Sequence, residues 1–141
     1  YGTPSYVSPE QASGNPAVDA RADIFGLGVM IFEALAGRLP YSGSTVTNLL
    51  RAIIREDAPR VGLLVDGVSQ ELDAIVAQML ARKRENRLPN MRALARAWLP
   101  FAPDRRVIER NIAASLDLKT AAKGYRSVVS QHVTTVERTA A

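Results

Sequence analysis

The sequence contains no cysteine and a single histidine, His132. Without thiols there are no disulfides, no thiolate metal sites and no cysteine nucleophiles. One imidazole builds neither an HExxH metal site nor a paired-histidine mechanism. Long apolar runs are also missing. The longest, Ile24 to Leu35, is shorter than the ~20 residues that span a bilayer and contains Glu33. The chain is therefore expected to have no membrane span and to work in the cytoplasm. No charged-then-apolar leader opens it, and Tyr1 stands in place of methionine, so the sequence is expected to begin inside a longer one. A strong charge imbalance is lacking too. Eighteen Lys and Arg against 14 Asp and Glu leave +4. Residues 1–100 hold 11 basic and 10 acidic groups and residues 101–141 hold 7 and 4, so the excess lies mostly in the tail. No helix opens on clustered Arg, Lys, Asn or Gln, and no nucleic-acid partner is expected.

What is present suits one globular domain: 141 residues, 47% hydrophobic and 23% charged, enough to bury a core without staples. The opening stretch, with Gly2 and Pro4, reads as loop or extended chain. Ser8, Pro9 and Gln11 form a Ser-x-x-Gln capping box with proline at the first helical position, and Gly14-Asn15-Pro16 stops that helix. Asp19 is the expected N-cap of the strongest helix, Ala20 to Ala36, closed by Gly37. Its apolar residues surround the axis, the pattern of a helix buried on most sides. Gly26 and Gly28 weaken that helix by about 1 kcal/mol each relative to alanine, so another backbone is expected to approach closely there. Further helices are expected from Thr45 to Arg55 (capped by Ser44), from Gln70 to Ala81 (capped by Ser69) and from Met91 to Leu99. The Glu56–Gly67 stretch reads as a long connection, Arg82-Lys83-Arg84 as a solvated helix end, and His132 as an exposed tail residue. Pro100 to Pro103 is the expected boundary, separating residues 1–99 from a basic linker or tail, 100–141, that is marginally helical or disordered.

Three separated clusters point the same way: Gly2-Thr3-Pro4-Ser5-Tyr6-Val7-Ser8-Pro9-Glu10; Asp23-Ile24-Phe25-Gly26-Leu27-Gly28, running on to Gly37-Arg38-Leu39-Pro40-Tyr41; and Arg87 ahead of Met91-Arg92-Ala93-Leu94. Together they resemble the second half of a protein kinase catalytic domain of the bacterial serine/threonine type, Ser8-Pro9-Glu10 being similar to the family's A-P-E motif. The resemblance covers residues 1–99. It implies a mainly α fold: the helical large lobe of the kinase fold, beginning in the activation segment and without the β-rich small lobe and catalytic loop. It places Thr3 and Pro4 in the substrate-receiving loop, pairs Glu10 with Arg87 in a buried ion pair, and makes Asp23 the anchor for the catalytic loop's backbone. The sequence departs from the family's pattern near Arg87, where Lys83 and Arg84 replace a usual Asp-Pro and Leu88 a usual proline, and at Gly26, where serine is common.

Phosphoryl transfer needs a Gly-rich loop, a strand lysine, an H-R-D-type loop and a D-F-G aspartate. None of these occurs in the 141 residues. The resemblance therefore implies a parent enzyme that uses ATP and Mg2+ on protein substrates together with an N-terminal lobe. No catalytic, cofactor-binding or metal-ligating residue is expected in this chain, which alone should transfer no phosphate. With its partners missing, the central helix is expected to expose a large apolar patch and favour aggregation. The alternative is a non-catalytic, kinase-derived helical interaction module.

Overall fold

The computed structural model describes residues 4–102 and 106. Among these there is no strand, only α-helices joined by 3-10 turns: α1 (Pro9–Ala12), α2 (Arg21–Ala36), α3 (Val46–Arg55), α4 (Gln70–Met79) and α5 (Met91–Trp98). The chain divides into two compact units, residues 1–97 and 98–141. In the second, Leu99–Phe101 forms a 3-10 turn and Trp98 meets Phe101 edge to face at 5.9 Å. His132, Thr3 and nearly all of the 100–141 tail lie outside the described residues.

Local chemistry sets the helix ends. Ser8 closes a complete capping box with Gln11, and Gly37 ends α2 in the left-handed region at φ 67°. Two expected caps shift by one residue. Thr45, not Ser44, caps α3, its hydroxyl accepting from the Asn48 amide at 3.1 Å. Ala20, not Asp19, occupies the cap of α2 with helical backbone angles, while the Asp19 carboxylate accepts from the Arg21 amide at 2.8 Å. The amide at the helix entrance is thus satisfied from one residue further back. The Pro4–Tyr6 stretch is a 3-10 turn rather than extended chain, and Val61–Leu63 forms another inside the long connection. α4 ends at Met79, two residues earlier than its periodicity suggests.

The first unit's core is built around α2, with α4 packed along it and α1 against α3. Phe25, Val29 and Phe32 of α2 meet Tyr41, Ile53, Val61, Val76 and Leu80. Phe25 also stacks on Tyr41 at 6.2 Å. The Tyr41 hydroxyl is buried without a well-formed hydrogen bond, and burial, aided by the nearby Asp57 charge, pushes its pKa up to about 12. Burial leaves much less of α2 uncovered than its composition suggests. Ile24, Phe25, Val29 and Phe32 are wholly buried; Asp23, Met30 and Ala34 are exposed along one stripe, with Leu27 half-buried between them. The broad apolar patch expected of the whole helix is reduced to that stripe.

Both helix-interior glycines have close neighbours. A Cβ at Gly26 would lie 3.2 Å from the Tyr6 carbonyl oxygen, and one at Gly28 would lie 2.9 Å from Met79 Cβ and 3.2 Å from a Leu80 methyl. The missing side chains let the Pro4–Tyr6 turn and α4 sit against α2. Gly28→Ala gains about 1 kcal/mol of helix propensity but overpacks a fully formed interface, which costs about 1–3 kcal/mol. The expected result is net destabilisation, read as a lower urea midpoint at unchanged m value; an upward shift in midpoint would show that α4 yields freely.

Candidate functional site

The capping box holds α1 as a short, rigid turn and points Glu10, its second residue, inward. Arg87 follows 77 positions later, just after the 3-10 turn Arg84–Asn86. The structure brings the two together fork to fork: Arg87 Nη1 donates to Glu10 Oε1 at 2.7 Å and Nη2 donates to Oε2 at 2.8 Å. Three main-chain carbonyls take the remaining guanidinium hydrogens. Nε donates to Ala81 at 2.8 Å, Nη1 to Arg21 at 3.1 Å and Nη2 to Arg82 at 3.2 Å. All five N–H bonds therefore have acceptors, the condition under which a charge tolerates burial. Arg87 is 3% exposed and Glu10 7%. The guanidinium carbon also lies 4.9 Å from the centre of the Phe25 ring, a cation–π contact in a desolvated setting.

One side chain thus ties four segments together: α1 through Glu10, the start of α2 through the Arg21 carbonyl, the end of α4 through Ala81 and Arg82, and the core through Phe25. Burial acts to raise the Glu10 pKa, but the Arg87 hydrogen bonds and charge, with a backbone hydrogen bond, outweigh it and hold the carboxyl below its ordinary value. The direction fixes the pH dependence. A lowered folded pKa means that the clasp contributes fully above the unfolded value of 4.5 and is lost as pH falls through the lower folded value. The urea midpoint of the wild-type chain should fall on acidification through that window, and the wild-type advantage over Glu10→Gln should shrink with it. A pH-independent difference between the two proteins would contradict the pairing.

Around the clasp lie contacts that periodicity and local motifs do not reveal. Tyr6, in the turn preceding α1, donates its hydroxyl hydrogen to Glu33 Oε2 of α2 at 2.6 Å, and this bond to a carboxylate holds the phenol above its usual range. Tyr6 and Glu33 line an apolar hollow of about 450 Å3 with Met30 and Ala34. Their separation of 27 positions carries no local signal. The Arg82-Lys83-Arg84 run is not a simple solvated helix end. Arg82 donates to the Arg55 carbonyl at 2.5 Å and pairs with Asp57 at 3.6 Å; Arg84 donates to the Ala17 carbonyl and pairs with Asp19 at 3.8 Å. These two arginines fasten the loop before Arg87 to the end of α3 and to the entrance of α2.

Asp23, in the first turn of α2, is exposed and its carboxylate has no hydrogen-bond or ionic partner among the described residues. Pro4 starts the 3-10 turn that leads to Tyr6. The structure thus joins Glu10 to Arg87 and, separately, Tyr6 to Glu33, whereas Asp23 has no such partner among the described residues.

The general model of the protein kinase domain matches residues 1–99. The serine/threonine-protein kinase PknB of Mycobacterium tuberculosis is 41% identical over 86 residues, which make up 61% of this chain and 14% of that protein. PksC of Streptomyces coelicolor, also a serine/threonine-protein kinase, is 34% identical over 93 residues (66% of this chain, 16% of PksC). For the serine/threonine-protein kinase PknL of Mycobacterium tuberculosis the identity is 31% over 133 residues, covering 92% of this chain and 33% of PknL. The chain therefore spans a third or less of the length of these relatives. The relatives it resembles are bacterial serine/threonine kinases, and with 99 of its 141 residues matched the chain belongs to the protein kinase domain family.

Proposed function

We propose that this chain supplies the end of the activation segment and the helical lobe of a cytoplasmic kinase that transfers the γ-phosphate of ATP to serine and threonine hydroxyls of proteins. Its ATP-binding lobe and catalytic loop lie outside these 141 residues, and residues 100–141 act as a basic tail. The observation that carries the reading is the Glu10–Arg87 clasp. It fixes α1, just after the Pro4–Tyr6 turn, onto the start of α2, which supports reading Pro4, with Thr3 before it in the sequence, as part of a substrate-receiving segment. The Tyr6–Glu33 hydrogen bond ties the Pro4–Tyr6 turn to α2 as well. The exposed Asp23 carboxylate, with its acceptor capacity unused among the described residues, would receive backbone N–H groups of a catalytic loop.

The donor set does not fit Mg2+ and ATP. The sequence holds no Gly-rich loop, strand lysine, H-R-D or D-F-G motif, and among the described residues no three His, Cys, Asp or Glu side chains cluster around a possible metal position. No helix among the described residues is long and apolar enough to cross a membrane. The role of these residues is positioning, which in phosphoryl transfer accounts for much of the catalysis.

The test is a chimera in which residues 1–99 replace the aligned segment of PknB, assayed beside the 141-residue chain with Mg2+ and labelled ATP. The chimera should phosphorylate itself or a protein substrate and the chain alone should not. Asp23→Ala in the chimera should lower kcat by about a hundredfold at unchanged helix content, the effect of misplacing a catalytic group by about an ångström. A folded chimera without transfer would favour the non-catalytic interaction module. Transfer by the chain alone would overturn the assignment of the ATP site to sequence outside it.

A further inference from the structure

We infer that one face of α3, from the loop at residues 42–44 to Arg55 at its end, carries a pocket that reads the phosphate of a phosphorylated serine or threonine peptide. A cavity of about 520 Å3 opens there, its polar lining made of Ser42, Ser44, Asn48, Arg51, Arg55 and Glu56. Arg51 and Arg55 are exposed, and neither guanidinium has an acceptor among the described residues. That sets them apart from Arg21, Arg60, Arg82, Arg84 and Arg87, whose side chains are all held by carbonyls or carboxylates. Four positions apart on a helix, two side chains project from one face about 5–6 Å from each other. Two planar forks at that spacing can grip the oxygens of a single phosphate, where a lysine would offer only a point charge.

Gly43 sits so close to the first turn of α3 that a Cβ there would fall 2.3 Å from the Leu49 amide nitrogen. Ser44 Oγ accepts from Asn48 Nδ2 at 3.0 Å, so its own hydrogen is free to donate into the cavity. The pocket thus offers two guanidinium forks and an oriented hydroxyl. Against these stands the Glu56 carboxylate, also exposed and on the rim. Two arginines outweigh this one carboxylate, so the pocket attracts anions in proportion to their charge. A peptide carboxylate brings one negative charge and two acceptor oxygens, whereas a phosphate monoester brings about −1.5 to −2 at neutral pH and three acceptor oxygens. The dianion gains nearly twice as much from the two arginines, and the surplus distinguishes phosphoserine from aspartate.

The peptide source of this phosphate rests on the proposed function, since a serine/threonine kinase generates phosphorylated serine and threonine segments. The binding itself needs neither ATP nor transfer, so it is measured independently of the chimera's activity. The experiment is fluorescence anisotropy on the intact 141-residue chain with a labelled phosphoserine peptide, its unphosphorylated twin and its aspartate twin, with inorganic phosphate as competitor. The phosphopeptide should bind about tenfold or more tighter than either twin, an effect on the scale of hydrogen bonds to charged groups. The exposed double variant R51Q/R55Q, shown folded by circular dichroism, should lose that preference, and Glu56→Gln should tighten binding. R92Q/R96Q removes the same charge elsewhere and should leave binding unchanged. Equal binding of the three peptides, an equal loss in R92Q/R96Q, or inorganic phosphate competing as tightly as the peptide would each overturn the proposal.

Discussion

Arg87→Ala should lower the unfolding free energy by about 3–5 kcal/mol, measured by urea denaturation near neutral pH. The figure is that for removing one member of a buried pair. It is a large share of the roughly 5–15 kcal/mol available to a domain of this size. Two costs combine in it. Glu10 remains buried with its charge uncompensated, and the carbonyls of Ala81, Arg21 and Arg82 lose donors in a region that excludes water. Glu10→Gln strands only one charge and keeps the guanidinium on its three carbonyls, so it should be the milder change. The double variant Glu10→Leu/Arg87→Met gives the sharpest reading. Replacing a buried ion pair by apolar groups is often neutral, but here three carbonyls still lose their guanidinium donor, so recovery should be partial. Full recovery would mean that the carbonyl contacts contribute little and that the pair alone matters. A change below 1 kcal/mol for Arg87→Ala would remove the clasp as the organising contact of this unit.

Phe25→Ala should cost about 3–5 kcal/mol, the range for deleting a buried aromatic from a close-packed core. Phe25 is wholly buried and touches two things at once: one face stacks on Tyr41 and the ring also faces the Arg87 guanidinium. Truncation therefore opens a cavity directly beside the ion pair. The diagnostic comparison is Phe25→Leu, which refills most of the volume but offers no π face. Phe25→Leu should retain more stability than Phe25→Ala, and the stability difference between Arg87→Ala and its parent should be smaller in the Leu background. That coupling is measured with a double-mutant cycle, and strict additivity would show that ring and guanidinium are neighbours without interaction. The two experiments address one structure from opposite sides, since the ring and the carboxylate are the two supports on which Arg87 rests.

The elements of the fold were written locally. Ser8-Pro9-Glu10-Gln11 carries its own capping box, Gly37 its own left-handed stop, and Leu72, Ile75, Val76, Met79 and Leu80 the period of a helix with one covered face. These signals act between residues within about four positions, where backbone geometry alone fixes who can meet whom. The shifts at Thr45 and Ala20 mark the limit of that logic. Ser44 and Thr45 have similar capping chemistry, as do other short polar residues, and the choice between neighbours follows from where the preceding chain must turn. Gly26 and Gly28 announced that something comes close. That the neighbours are the Tyr6 carbonyl and the Met79–Leu80 end of α4 is a fact of packing.

The candidate site divides in the same way. The string from Gly2 to Glu10, the Asp23–Gly28 run and Arg87 could be matched as a pattern, because each cluster is contiguous or carries a distinctive residue. Tyr6 with Glu33, Phe25 beneath Arg87, and the fastening of Arg82 and Arg84 to the Arg55 and Ala17 carbonyls had no such signal. A tyrosine, a glutamate or an arginine in isolation is compatible with open solvent, and main-chain acceptors leave no trace in residue identity.

By itself, then, the amino-acid order determined the helices, their stops, the absence of ATP-binding motifs and the family likeness, since all of these depend on neighbouring residues or on fixed strings. Only the tertiary structure decided that the Glu10–Arg87 pair, which the resemblance implied, shares its dry space with three carbonyls and an aromatic ring. It also decided which stripe of α2 stays open. The reason is physical: desolvation and long-range hydrogen bonding are properties of a place in the folded molecule, and that place does not exist until the helices have packed.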